Sequence, residues 1–218
     1  MDFLDIHTHQ AAQKKDITSI QSLSLTSDIF LAMPKTKPIS IGLHPWYATL
    51  DKLEMQMKYM SVLASQQNVK LIGECGLDQL KGAQIENQIS ILEIQIKLAE
   101  KLNKPLILHC VKAFSELIEI KDRLKVNVPM IIHGFNKNEA LGLQLLKKGF
   151  LLSFGTAILK ENSGASKLIR NTDLFFLETD DSEIQIEEIY NAAAKLKNCS
   201  VDALKACMFA NWKKLDLL

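Results

Sequence analysis

Eight short apolar runs recur along the chain, and their regular alternation with longer amphipathic stretches is what most narrows the folds open to it. The runs are Phe3 to His7, Ile17 to Leu23, Ile39 to Leu43, Lys70 to Glu74, Leu106 to His109, Met130 to His133, Phe150 to Phe154 and Leu174 to Glu178. Each is bounded by Pro, Gly or polar residues, the pattern of strands buried on both faces of a parallel sheet. Helical periodicity fills most of the intervals. Between Gln84 and Leu102, Ile85, Ile89, Leu92, Ile96 and Ala99 follow steps of four and three, and Pro105 then opens the next strand. Asn138 to Lys148 carries Leu141, Leu145 and Leu146 and stops at Gly149, suited to a left-handed C-terminal cap. Ile186 to Leu196 and Ser200 to Leu215 close the chain, with Ser200 as N-cap. Strand followed by helix, repeated, predicts an α/β fold of the (β/α)8 TIM-barrel type in a single domain over residues 1–218. The chain is short for such a barrel, which typically needs about 250 residues. Only seven residues separate His9 from Ile17, too few for a helix with its loops, so a reduced first β/α unit is expected.

Composition closes off other classes. Hydrophobic residues make up 47% and charged residues 23% of the chain, values of a folded enzyme rather than a disordered segment. A net charge of +1 gives no overall field for non-specific attachment to a polyanion, so any nucleic-acid contact must be local. No apolar run approaches the roughly 18 to 20 residues of a membrane span, and no basic stretch followed by an apolar core opens the chain. A cytoplasmic protein with no membrane partner is expected. Cys75, Cys110, Cys199 and Cys207 lack CxxC spacing. Cys75 and Cys110 sit inside strand-like runs and read as reduced, small hydrophobes.

Polar residues interrupt the apolar runs at one end only. Asp5, His7 and His9 close the first run and alternate onto one face of an extended chain. His44 follows the third, Glu74 ends the fourth, His109 the fifth, His133 the sixth, and Glu178 with Asp180 the eighth. All five histidines fall at these ends. A parallel barrel gathers its C-terminal strand ends at one mouth, so residues remote in sequence are expected to converge there on divalent cations. The set divides into His7, His9, Asp180 and one oxygen of Glu74 for a first cation, and the other oxygen of Glu74 with His109 and His133 for a second. Mixed imidazole and carboxylate donors suit Zn, Mn, Co or Fe better than Mg. Two cations about 3.5 to 4 Å apart activate a water for hydrolysis. His44 reads as a substrate contact outside the ligand shell or as a hydrogen-bonded loop residue, and Asp5 and Glu178 as supports for the ligands. Trp46 either packs or stacks on a base.

These residues together resemble the TatD-type metal-dependent deoxyribonucleases of the amidohydrolase superfamily. The segments that carry the resemblance are Asp5-Ile6-His7-Thr8-His9, Gly42-Leu43-His44-Pro45, Ile72-Gly73-Glu74-Cys75-Gly76-Leu77-Asp78, Gln88 with Gln95, and Pro105-Leu106-Ile107-Leu108-His109. Further along are Ile132-His133-Gly134-Phe135, Gly149 to Gly155, Glu178-Thr179-Asp180 and Asn211. The resemblance implies a barrel with a two-metal site whose ligands are His7, His9, Glu74, His109, His133 and Asp180. It also implies hydrolysis of DNA phosphodiesters, often from a 3′ end. Glu74 stands where other amidohydrolases use a carboxylated lysine. The chain departs from the family pattern at Val111-Lys112, where an Arg-Asp pair is common, at Gln79 in place of a Tyr, and at Asp181 in place of Pro or Ala. Lys112 then becomes the candidate phosphate contact, although lysine does not reproduce arginine's bidentate geometry.

The expected activity is therefore a nuclease of 3′ exonuclease type. A water activated by two cations attacks phosphorus, Asp180 shuttles the proton, and Glu74 and Asp180 carry the catalytic roles. A small-molecule amidohydrolase or phosphoesterase would use the same residues, and a partner-binding protein that keeps metal without turnover is a third reading. Partners would be DNA or a small phosphodiester or amide, and a monomer suffices for any of these.

Overall fold

A computed structural model of the chain describes residues 1–11, 15–25 and 33–218. Eight strands form one sheet in sequence order: β1 (Phe3–Thr8), β2 (Ile17–Ser24), β3 (Ile39–Gly42), β4 (Val69–Asp78), β5 (Leu106–Val111), β6 (Met130–Ile132), β7 (Leu151–Phe154) and β8 (Phe176–Leu177). The helices are α1 (Leu53–Leu63), α2 (Ile85–Leu102), α3 (Phe114–Leu124), α4 (Glu139–Lys147), α5 (Gly164–Arg170), α6 (Ile186–Lys197) and α7 (Val201–Lys214). From β3 onward each strand is followed by a helix, and β1 meets β8 through a parallel bridge between Thr8 and Asp180. This is the (β/α)8 barrel. No helix occurs between β1 and β2 among the described residues; residues 12–14 of that connection lie outside them. Among the described residues no helix is long and apolar enough to cross a membrane.

Contacts group the chain into two compact units, one of residues 1–21 with 132–218 and one of residues 22–131. In the first, Ile6, Leu152, Phe154, Phe176 and Leu177 are fully buried, and Tyr190 of α6 reaches β1. Its hydroxyl accepts from Leu4 N at 3.0 Å and donates to Leu4 O at 3.1 Å, which satisfies a strand edge that a helix would otherwise leave without partners. Helix α7 begins where expected: the Ser200 hydroxyl accepts from Ala203 N at 3.1 Å. Helix α4 ends as expected, with Gly149 at φ +75°. Asn211 of α7 donates from one amide nitrogen to the carbonyls of Asp173 and Phe175, each at 3.1 Å, and so holds the approach to β8.

In the second unit, α2 buries Ile91, Leu92, Ile96 and Ala99 together with two amides, Gln88 and Gln95. Seven residues apart, these glutamines share a helix face. Gln95 accepts from Leu43 N at 2.7 Å and donates to Leu43 O at 3.1 Å. Gln88 does the same for Asp78, at 2.7 and 2.9 Å. Each amide thus completes the backbone hydrogen bonding where a strand runs out, and fixes the residue at or next to a candidate site position.

Strand β4 differs from expectation. It does not stop at Glu74 but continues to Asp78, with a register shift between Ile72 and Cys75 in its pairing with β5. Beyond the shift Gly76 pairs with His109. The reason is steric: a Cβ on Gly76, whose φ is +139°, would collide with the His109 carbonyl oxygen, so only glycine allows the two strands to come this close.

Candidate metal centre

In the first unit β1 delivers His7 and His9, and the turn after β8 delivers Asp180. The Nε2 atoms of His7 and His9 each lie 3.4 Å from Asp180 Oδ1. His133, just past β6, brings Nδ1 to 3.9 Å from Asp180 Oδ2 and 3.6 Å from Glu178 Oε1. His7 is fully buried, while the His9 side chain is 44% exposed, so the cluster runs from the interior to the surface. Burial works to raise the Asp180 carboxyl pKa, but hydrogen bonds from His7 and His9 and the charge of His133 outweigh it. The group is held well below the usual carboxylate range and stays ionised.

Two buried acids brace this cluster. Asp5 Oδ1 accepts from the backbone N–H of His7 at 3.3 Å and of Thr179 at 3.1 Å, and Oδ2 accepts from the Thr179 hydroxyl at 2.6 Å. One carboxylate therefore ties the strand bearing His7 to the turn bearing Asp180. Glu178 Oε1 accepts from Gly134 N, which fixes the chain directly after His133. Asp181 is exposed.

The second unit assembles His44, Glu74, Asp78 and His109. Glu74 Oε1 lies 3.0 Å from His44 Nε2 and 3.1 Å from His109 Nδ1. His44 Nδ1 accepts from Trp46 N at 3.2 Å, so the neutral ring carries its proton on Nε2 and presents it to Glu74. Trp46 is turned inward at its polar end: the indole N–H donates to Asp78 Oδ2 at 2.6 Å, and Lys81 Nζ lies 3.6 Å above the ring centre. Lys112 is exposed at the end of β5, with φ +54°. Cys75 is fully buried, and burial pushes its thiol pKa far above the ordinary value, as suits an inert apolar side chain.

The donor chemistry decides whether these residues suit divalent cations. His7, His133 and Asp180 each offer a donor atom, all within 4.8 Å of one another, and so do His44, Glu74 and His109. Imidazole nitrogens and carboxylate oxygens that converge in this way form a donor set suited to a divalent cation. The structure groups His133 with His7 and Asp180, where sequence reasoning paired it with His109. It also brings His44 onto Glu74. Asp78 falls beyond the expected end of the strand at Glu74, so the linear pattern gives no sign that it meets His109.

The profile of the TatD related DNase family matches residues 5–215. The chain belongs to this family. An uncharacterized metal-dependent hydrolase of Methanocaldococcus jannaschii is 26% identical over an alignment covering 93% of this chain and 86% of that protein. A 3′-5′ ssDNA/RNA exonuclease TatD of Cronobacter turicensis is 30% identical over 64% of this chain and 55% of its own length. Among solved structures, a TatD homolog from Escherichia coli superposes with a TM-score of 0.79 at 21% identity, covering 98% of this chain and 97% of that one. The match carries the barrel. Like other members of the TatD family, this chain is a metal-dependent hydrolase.

Proposed function

We propose that the protein hydrolyses phosphodiesters of single-stranded nucleic acid, working inward from a 3′ end, with two divalent cations. The observation that carries the reading is the convergence of His7 and His9 on one oxygen of an ionised Asp180, with His133 beside the other. His7, His9, His133 and Asp180 supply donors for one cation, and Glu74 with His109 for the other. The exonuclease name borne by the Cronobacter relative supports the substrate class.

Bound cations supply charge neutralisation at the phosphoryl oxygens and lower the pKa of an attacking water. The chain's own groups do the rest. Asp180, beside His7, His9 and His133, takes the water proton at a carboxylate oxygen. His44 donates through Nε2–H, holding Glu74 in its rotamer. Lys112 meets a substrate phosphate as a point charge. A small phosphodiester or cyclic amide is the second reading, favoured by a net charge of only +1.

The test uses protein stripped with a chelator and reloaded with Mn²⁺ or Zn²⁺, offered a 3′-labelled single strand, a small aryl phosphodiester and a cyclic amide. Metal-dependent loss of the 3′ label is expected. Glu74→Ala and Asp180→Ala should each lower kcat/KM by about a thousandfold or more with circular dichroism unchanged. Normal turnover by Glu74→Ala would sink the assignment, and hydrolysis confined to the amide would select the second reading.

A further inference from the structure

We infer that Asp78 is the positioning residue for His109, holding the ring with its proton on Nε2 so that Nδ1 is the atom presented beside Glu74. The inference rests on the proposal that His109 is a metal ligand, and it adds a residue that the family's expected ligand set does not contain.

The geometry comes from β4. Its continuation past the register shift aligns Gly76 with His109. Gly76 contributes no side chain at that level, and Glu74 and Asp78 stand two residues to either side of it. The two acids close on opposite nitrogens of the same imidazole: Glu74 Oε1 is 3.1 Å from Nδ1 and Asp78 Oδ2 is 3.1 Å from Nε2.

Asp78 is itself immobilised. Its side chain is 4% exposed. Oδ1 accepts from Leu80 N at 2.8 Å, and Oδ2 accepts from the Trp46 indole as well as facing His109. Gln88 clamps its backbone N–H and carbonyl. Both carboxylate oxygens are therefore committed as acceptors, and with Nδ1 given to a cation as a ligand, the one proton of the neutral ring falls on Nε2, where this acceptor holds it. A neutral imidazole with Nε2–H keeps its lone pair on Nδ1. A carboxylate behind a ligating histidine in this way fixes the tautomer and raises the basicity of the ligating nitrogen. Trp46 serves the arrangement by anchoring Asp78 Oδ2, which accounts for the inward turn of its indole N–H.

The experiment uses the full chain and Zn²⁺ as probe. Long-range ¹H–¹⁵N correlation spectra of the Zn²⁺-loaded wild type are expected to show His109 with a slowly exchanging proton on Nε2. Zn²⁺ titration of Asp78→Ala and Asp78→Asn is expected to show binding weakened by about 10- to 100-fold. Asparagine fails as well, because one of its two terminal atoms is a donor and cannot serve both sets of partners. Trp46→Phe, which keeps the ring and removes only the indole donor, should weaken binding by a few-fold. A His109 proton on Nδ1 in the loaded wild type overturns the inference with no variant needed, as does Zn²⁺ binding by both Asp78 variants within twofold of wild type. Failure of the wild type to bind Zn²⁺ at all would instead overturn the metal-dependent function proposed above.

Discussion

At the scale of single residues, the first unit depends on a buried acid that is not offered as a ligand. Burial raises the Asp5 carboxyl pKa to about 7 against the opposing hydrogen bonds from Thr179, with the Glu178 charge adding to the rise. The ordinary value is 3.8. Below it, folded and unfolded chains both hold the proton and Asp5 makes no difference. Between about 4 and 7 the folded chain keeps a proton that the unfolded chain has lost, so this group's contribution to stability falls as pH rises and the loss is complete above about 7. In metal-free protein, Asp5→Asn should therefore flatten the decline of the urea midpoint between pH 4.5 and 7.5. An unchanged pH profile in the variant would show that Asp5 is ionised throughout. Asp5, His7 and His9 were legible as a group from their alternation alone. That Asp5 spends all of its hydrogen bonds on Thr179 and the His7 backbone was not, because Thr179 lies 174 residues away and only the meeting of β1 with β8 brings them together.

At the scale of elements, the approach of β4 to β5 is the tightest constraint on the second unit. Gly76→Ala places a Cβ against the His109 carbonyl at a φ of +139° that L-residues rarely adopt. A loss of about 3 kcal/mol in urea unfolding is expected, together with weaker Zn²⁺ binding, since the strand bearing His109 must shift. Helix ends are more forgiving. Ser200→Ala removes the acceptor for Ala203 N and should cost about 1 kcal/mol, a Tm drop of roughly 2 to 4 °C, with catalysis intact. The run from Lys70 to Glu74 reads as a complete strand, because Gly76 breaks the pattern just beyond it and sequence alone gives no reason to continue through that glycine. Pairing with β5 supplies that reason, and the four added residues carry Asp78 to His109. The glutamines of α2 show the same limit: seven-residue spacing puts Gln88 and Gln95 on one face, but their carbonyl and amide partners are visible only once Leu43 and Asp78 lie beneath them.

At the scale of the whole chain, a net charge of +1 bounds how nucleic acid can be held. With one or two phosphates neutralised, raising NaCl from about 50 to 200 mM should increase KM for single-stranded DNA by only about threefold to sevenfold. A rise of a hundredfold would reveal a longer basic track than the composition suggests. The barrel, the eight strands, the short first β/α unit and the placement of every histidine at a strand end follow from the linear pattern, since burial periodicity and run length are local properties of the chain. The partners of those histidines do not. Which carboxylate meets which ring depends on a register shift in β4 and on the turn after β8, features set by close packing between segments far apart in sequence. The grouping of His133 with Asp180, the contact of His44 with Glu74 and the stationing of Asp78 behind His109 were therefore decided by the folded chain alone.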